Sequence, residues 1–335
     1  MITRAYPYED RGALRSGRAL QIGKQKRHNN QRDMTMRIAR ITLTLAGMLA
    51  FASSAATATD YSFTADDGVW DLAGNWDPDT GPPQAGDKAT IPDGKICRVQ
   101  EDDQEAHEVV VEEGGTLGIV SKDLTIGEGS GIVRLTVDGT LYFKTAIGPG
   151  APTPRLLTPT AKLEIQGMGL VTARRADGYG PGRIEGVALS VYSGATLAGS
   201  LQIHTDGSID NDGTFVVDGS TDDMYVGRLS SSGSRPWLDG SGSFRASNGT
   251  MHFGRVWLSR TVTAYWEVSD NGEMHLSEYV VQYLAPGRYP RILVSVSGGR
   301  LYVNMYFLNR RGLSFTGGEI EVGAGKLAEF NYIAD

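Results

Sequence analysis

The stretch Asn248-Gly-Thr-Met-His-Phe253 returns a few lines later as Asn271-Gly-Glu-Met-His-Leu276. In both copies a glycine turn is followed by a polar, an apolar, a polar and an apolar residue. Alternation of period two marks a strand with one face buried. Working outward, the same phrase stands at Gly213-Thr-Phe-Val-Val217, Gly139-Thr-Leu-Tyr-Phe143 and Gly115-Thr-Leu-Gly-Ile119. It stands again at Gly299-Arg-Leu-Tyr-Val303 and Gly318-Glu-Ile-Glu-Val322, with looser copies at Gly167 and Gly194. The nine glycines lie 19 to 36 residues apart, about 25 residues per repeat, which is the length of one solenoid rung. No 3.6-residue period is sustained. The expectation is an all-β parallel β-helix whose stacked rungs bury one apolar column. Asp138-Gly139, Asp212-Gly213, Asn248-Gly249 and Asn271-Gly272 also suit hairpin turns, so an antiparallel sandwich or barrel is the alternative.

The register makes the expectation specific. Leu141/Phe143, Phe215/Val217, Met251/Phe253, Met274/Leu276, Leu301/Val303 and Ile320/Val322 should point inward. One outward column then reads Thr250, Glu273, Arg300, Glu319, with a guanidinium between two carboxylates. The other reads Tyr142, Val216, His252, His275, Tyr302, Glu321. It sets His252 beside His275, near enough to share a metal, but with no clear carboxylate support for a closed site. An exposed His/Tyr stripe is the plainer reading.

Residues 1–58 read differently. Ten of the 32 Lys/Arg and three of the 39 Asp/Glu fall there, followed by the uncharged run Ile41 to Ala58 and a small-residue Ala56-Thr57-Ala58 site. A basic segment, a short apolar segment and a small-residue site make a secretory signal peptide with an upstream extension, Met34 and Met36 being alternative starts. The apolar run is shorter than the roughly 20 residues of a membrane span, so no transmembrane segment is expected in the mature chain. What remains has 22 Lys/Arg and 36 Asp/Glu, a net charge of −14. Such a chain is a poor partner for nucleic acid, whose phosphates need a basic surface. The single Cys97 excludes an intramolecular disulfide framework and a Cys-rich zinc site.

Residues 59–100 form a distinct block, expected as an N-terminal cap on a solenoid of residues 101–335. Its residues include Trp70, Asn75-Trp76, Gly81-Pro-Pro, Gly86-Asp87 and Ile91-Pro-Asp-Gly94. A solenoid needs its first open rung covered, and large aromatics can plug it. Over residues 60–125 this pattern resembles the opening of G8-type and related secreted β-helix proteins. The later Gly-Thr-Leu phrases look like those of adhesin passenger domains. The resemblance implies a right-handed, extracellular β-helix tied to carbohydrate or matrix, and it brings no catalytic residues. Asp66, Asp67, Asp71, Asp77, Asp79 and Asp87 raise a calcium ion as a candidate cofactor, although no EF-hand spacing is present. No barrel or hydrophobic anchor follows the last phrase, so the expected product is free or held by contacts.

Three stretches read as insertions: residues 144–160, 172–183, and the long interval from Gly213 to Gly249. Loops projecting from a solenoid often carry binding. The ligand-binding candidates are Arg174, Arg175 and Tyr179 in one, and Asp222, Asp223, Tyr225, Arg228 and Trp237 in another. Catalysis is left open. Asp222 and Asp223 are consecutive and should face opposite ways, and no Ser-His-Asp, P-loop or His-x-x-x-His pattern occurs. The expected function is a secreted, non-catalytic β-helix that meets an extracellular glycan or a surface protein. A polysaccharide lyase or glycoside hydrolase working along one sheet is the alternative, and a purely structural spacer is a third reading.

Overall fold

The computed structural model describes residues 58–127, 131–144, 153–173, 181–228, 235–259, 261–277, 279–282 and 291–332. They form a parallel β-helix. Three ladders of stacked parallel strands run through the described residues. The first climbs from Asp60–Phe63 through Lys88–Ile91 and Glu108–Val111 to Ser208–Asn211, Trp237–Asp239 and Trp257–Leu258. The second includes Asp67–Val69, Ile96–Val99, Thr116–Val120, Thr214–Val217, Ser243–Ala246 and Tyr265–Val268. The third includes Leu201–Thr205, Asp223–Val226, Thr250–Phe253, Glu273–Leu276 and the end of Leu293–Val303. Among the described strands only Trp76–Asp77 pairs antiparallel, against Asp60–Phe63. The sandwich and barrel alternatives are excluded for these residues.

Alternation buries one row from each strand. Met224, Met251, Met274 and Leu301 stack inward on the third ladder, and Phe215 and Phe244 on the second, all fully buried. Through the interior runs an aromatic spine. The Phe244 and Phe253 ring centroids lie 5.2 Å apart, Phe253 stacks on Trp266 at 4.9 Å, and Trp266 on Phe307 at 5.8 Å. Trp70 and Trp76 are buried near the start of the chain, their rings 4.9 Å apart. The Trp76 indole N–H donates to the Trp70 carbonyl at 2.7 Å.

The recurring glycine has a packing reason. A Cβ on Gly139 would collide with the carbonyl oxygens of Glu112 and Gly115 one rung below. A Cβ on Gly272 would strike the Ala246 carbonyl. Successive corners approach so closely that only glycine fits.

One reading is corrected here. The phrases at Gly115, Gly139, Gly167, Gly194 and Gly213 lie on the second ladder, and those at Gly249, Gly272, Gly299 and Gly318 on the third. Tyr142 and Val216 therefore do not share a column with His252. Two corners demand the same local sequence, so the phrase does not reveal which corner it occupies. Among the described residues, which leave out 229–234, the interval from Gly213 to Gly249 is built of strands and marks the change of ladder. It carries the strands Thr214–Val217, Asp223–Val226, Trp237–Asp239 and Ser243–Ala246.

Candidate functional site

On the third ladder, register aligns Gln202, Tyr225, His252, His275, Tyr302 and Glu321 as one outward column. Four of these side chains form a ring ladder across the rungs. Tyr225 stacks on His252 with centroids 4.4 Å apart and planes 9° from parallel. His252 meets His275 at 5.0 Å, and His275 meets Tyr302 at 5.6 Å. Beside it runs the column Asp223, Thr250, Glu273, Arg300, Glu319. The expected alignment of Glu273, Arg300 and Glu319 is present, but the pairing is uneven. Arg300 Nε reaches Glu319 at 3.1 Å, whereas Glu273 Oε2 accepts from His275 Nε2 at 2.9 Å.

The ring ladder forms one wall of a cavity of about 290 Å³. Arg228, Phe253, Leu276, Tyr279 and Asn304 also line it. A second cavity of about 290 Å³, lined by Pro159, Glu185, His204 and Asp206, also includes Arg228. Arg228 is held at this junction by its backbone. Its carbonyl accepts from the Arg255 N–H at 2.9 Å, and its side chain forms an ion pair with Asp206. The two cavities share Arg228, and together they are called the groove of the third ladder.

Burial, helped by the adjacent His275, pushes the His252 pKa down, and Asp223 and Glu273 oppose it only in part. Burial also lowers His204, together with Arg183 and Arg228, against Glu185. Arg183 donates to His204 Nδ1 at 3.0 Å, so that nitrogen is an acceptor and Nε2 carries the hydrogen.

The candidate residues separate cleanly. Asp223, Tyr225 and Arg228 come together at the groove, with Asp223 Oδ1 4.0 Å from His252 Nε2. Asp222 points the other way, is buried, and accepts from the Ser200 hydroxyl at 3.0 Å. Trp237 lies on the first ladder, away from the ring column, and stacks on Trp257. Arg174, Arg175 and Tyr179 lie outside the described residues. Sequence reasoning overlooked the carboxylate beside His275, although Glu273 stands two residues earlier and so faces the same way. It also overlooked His204, Tyr279 and Asn304, which reach the groove only because rungs stack.

Among the described residues no group of three His, Cys, Asp or Glu is disposed to hold a metal ion. In the N-terminal block Asp66 pairs with Lys95 at 2.7 Å, and Asp67 with Arg98. Asp87 accepts from the backbone N–H groups of Thr59 and Gln84, both at 2.9 Å. No helix among the described residues is long and apolar enough to cross a membrane. No family model, curated protein or solved structure matches the chain.

Proposed function

We propose that this chain is an exported β-helix that binds a neutral extracellular glycan along the groove of its third ladder, without cleaving it. The ring ladder Tyr225, His252, His275 and Tyr302 carries this reading. Rungs repeat every ~4.8 Å, close to the length of one pyranose unit. A linear chain laid across the strands therefore meets an equivalent ring edge at each step. Aromatic and imidazole rings offer apolar surface to sugar C–H groups. Asn304, Ser277 and the Tyr hydroxyls offer hydrogen bonds at the same depth. The acidic column Asp223, Glu273, Glu319 disfavours uronate or sulfated chains. The basic and apolar leader of residues 1–58 and the resemblance of residues 60–125 to G8-type openings point to the extracellular setting.

A glycan array read at low and high salt is the direct test, followed by calorimetry on the best neutral binder. Tyr225→Ala and Tyr302→Ala are each expected to weaken it about tenfold, or ~1.4 kcal/mol. Unchanged affinity in both variants would remove the groove from consideration.

One observation favours cleavage as a second reading. Asp223 and Glu273 face outward in the same column two rungs apart, about 9.6 Å along the axis. That is near the upper carboxylate separation of inverting hydrolases. New reducing ends from a bound polysaccharide, lost in Glu273→Gln, would establish the enzyme reading instead.

A further inference from the structure

Phe253, Leu276 and Val303 are in register on successive rungs of the third ladder, so the residues that follow them stack in turn. These are Gly254, Ser277 and Asn304, and all three line the ring-ladder cavity. The Ser277 N–H donates to the Phe253 carbonyl at 3.2 Å, and the Asn304 N–H to the Leu276 carbonyl at 2.9 Å. The three positions differ in what they leave over for a ligand. Gly254 has no side chain. The Ser277 hydroxyl is engaged within the chain, donating to the Gly254 carbonyl and accepting from the Tyr279 N–H, both at 3.3 Å. The half-buried Asn304 carboxamide has no hydrogen-bond partner among the described residues.

The next rung keeps room for that carboxamide. Val303 aligns with Val322, so Gly323 follows Asn304 in the stack, and its N–H donates to the Val303 carbonyl at 2.9 Å. A Cβ on Gly323 would collide with Asn304 Oδ1.

A carboxamide is neutral and carries both donors and an acceptor. Its best complement is a neutral group with one acceptor and one donor. Phe253 and Leu276 line the same cavity, so a methyl on that group would have apolar surroundings. An acetamido group combines the three parts: a carbonyl, an N–H and a methyl. A hydroxyl in its place lacks the methyl and the second hydrogen bond. A free amine would bring a positive charge, which the burial that lowers the His252 pKa also disfavours.

We infer that the groove selects a linear chain of N-acetylhexosamine, with the acetamido group of one unit entering the cavity and pairing with Asn304. This rests on the glycan reading above and narrows it. Asn304 Nδ2 donates to the acetyl carbonyl, and the acetamido N–H donates to Asn304 Oδ1. A volume of about 290 Å³ is at the lower end for ligand cavities, enough for one sugar unit and its pendant group. Neighbouring units of a β-1,4-linked chain face opposite ways, so the next acetamido group points away. Asn304 is a specificity residue here and takes part in no bond-making step.

Calorimetry on the whole mature chain tests this with chitohexaose, cellohexaose and the hexamer of glucosamine. The three share one backbone and differ only in the substituent on the second ring carbon. Chitohexaose is expected to bind at least about tenfold more tightly than either of the others. Asn304→Leu, close in volume, should bring chitohexaose down to the level of cellohexaose. Gly323→Ala keeps Asn304 but crowds its carboxamide, and should give the same loss. Urea midpoints establish that both variants are folded. Equal affinity for chitohexaose and cellohexaose, or tightest binding of the glucosamine hexamer, would overturn the acetamido site and leave a glycan groove standing. So would a chitohexaose preference undiminished in both variants. Failure of chitohexaose alone, with another neutral glycan bound in a Tyr225-dependent way, would do the same. Failure of every glycan would overturn both readings.

Discussion

His252 shows how burial sets the chemistry of a single side chain. Its imidazole lies against Tyr225 and His275, and burial, followed by the neighbouring His275, keeps its folded pKa below the ordinary value. In the unfolded chain that restraint is gone, and the ring takes up a proton near pH 6.5. Between those two values the unfolded state binds more protons, so stability rises with pH across the window. The contribution is flat above about pH 6.5 and is lost as pH falls toward the lowered folded value. His204, lowered first by burial and then by Arg183 and Arg228, has the same sign. Urea midpoints from about pH 7.5 to about pH 5 should fall in the native chain. They should fall less steeply in a His204→Gln/His252→Gln variant. An identical slope in both chains would show that these histidines titrate alike folded and unfolded.

Strands and corners are the elements from which the groove is made. At the Gly272 corner a Cβ would meet the Ala246 carbonyl of the rung below, which is backbone and has little room to yield. Gly272→Ala is therefore expected to cost about 1–3 kcal/mol, the range for overpacking, seen as a lower urea midpoint. An unchanged midpoint would mean that the corner relaxes freely. This corner also explains what was legible beforehand. Glycine followed by alternation disclosed the strands, the inward sets as far as Leu301/Val303 and the His252–His275 neighbourhood, because strand period and rung stacking are local rules; Val322, expected inward, is exposed. Which ladder a phrase belongs to was not legible, since the second and third corners impose the same steric demand. The groove was partly hidden for a related reason. Asp223, Tyr225 and Arg228 share a short stretch with His252 one rung on, but His204 and Asn304 join it only after several rungs have stacked.

At the scale of the whole molecule, a solenoid differs from a globular core in how far damage travels. Each rung here pairs with the rungs before and after it, so stability is close to a sum of neighbour terms. Trp76 sits at one end of that series. It is 2 % exposed, its strand pairs antiparallel with Asp60–Phe63, and its ring meets Phe63 at 5.1 Å and Trp70 at 4.9 Å. Trp76→Ala removes this aromatic cluster and should cost about 3–5 kcal/mol locally. Because the strands Lys88–Ile91 and Ile96–Val99 stack directly on the first rung, they should loosen next, followed by Thr116–Val120 and Thr140–Lys144. Hydrogen exchange is therefore expected to rise steeply between Ile91 and Phe143 and to change little at Ile320. The groove, centred on Tyr225 to Tyr302, lies many rungs away and should keep its glycan affinity. Uniform acceleration along the chain would mean that the rungs unfold as one cooperative unit. Loss of groove binding with exchange confined to the first rungs would mean that the end of the solenoid is coupled to the site through something other than neighbour stacking.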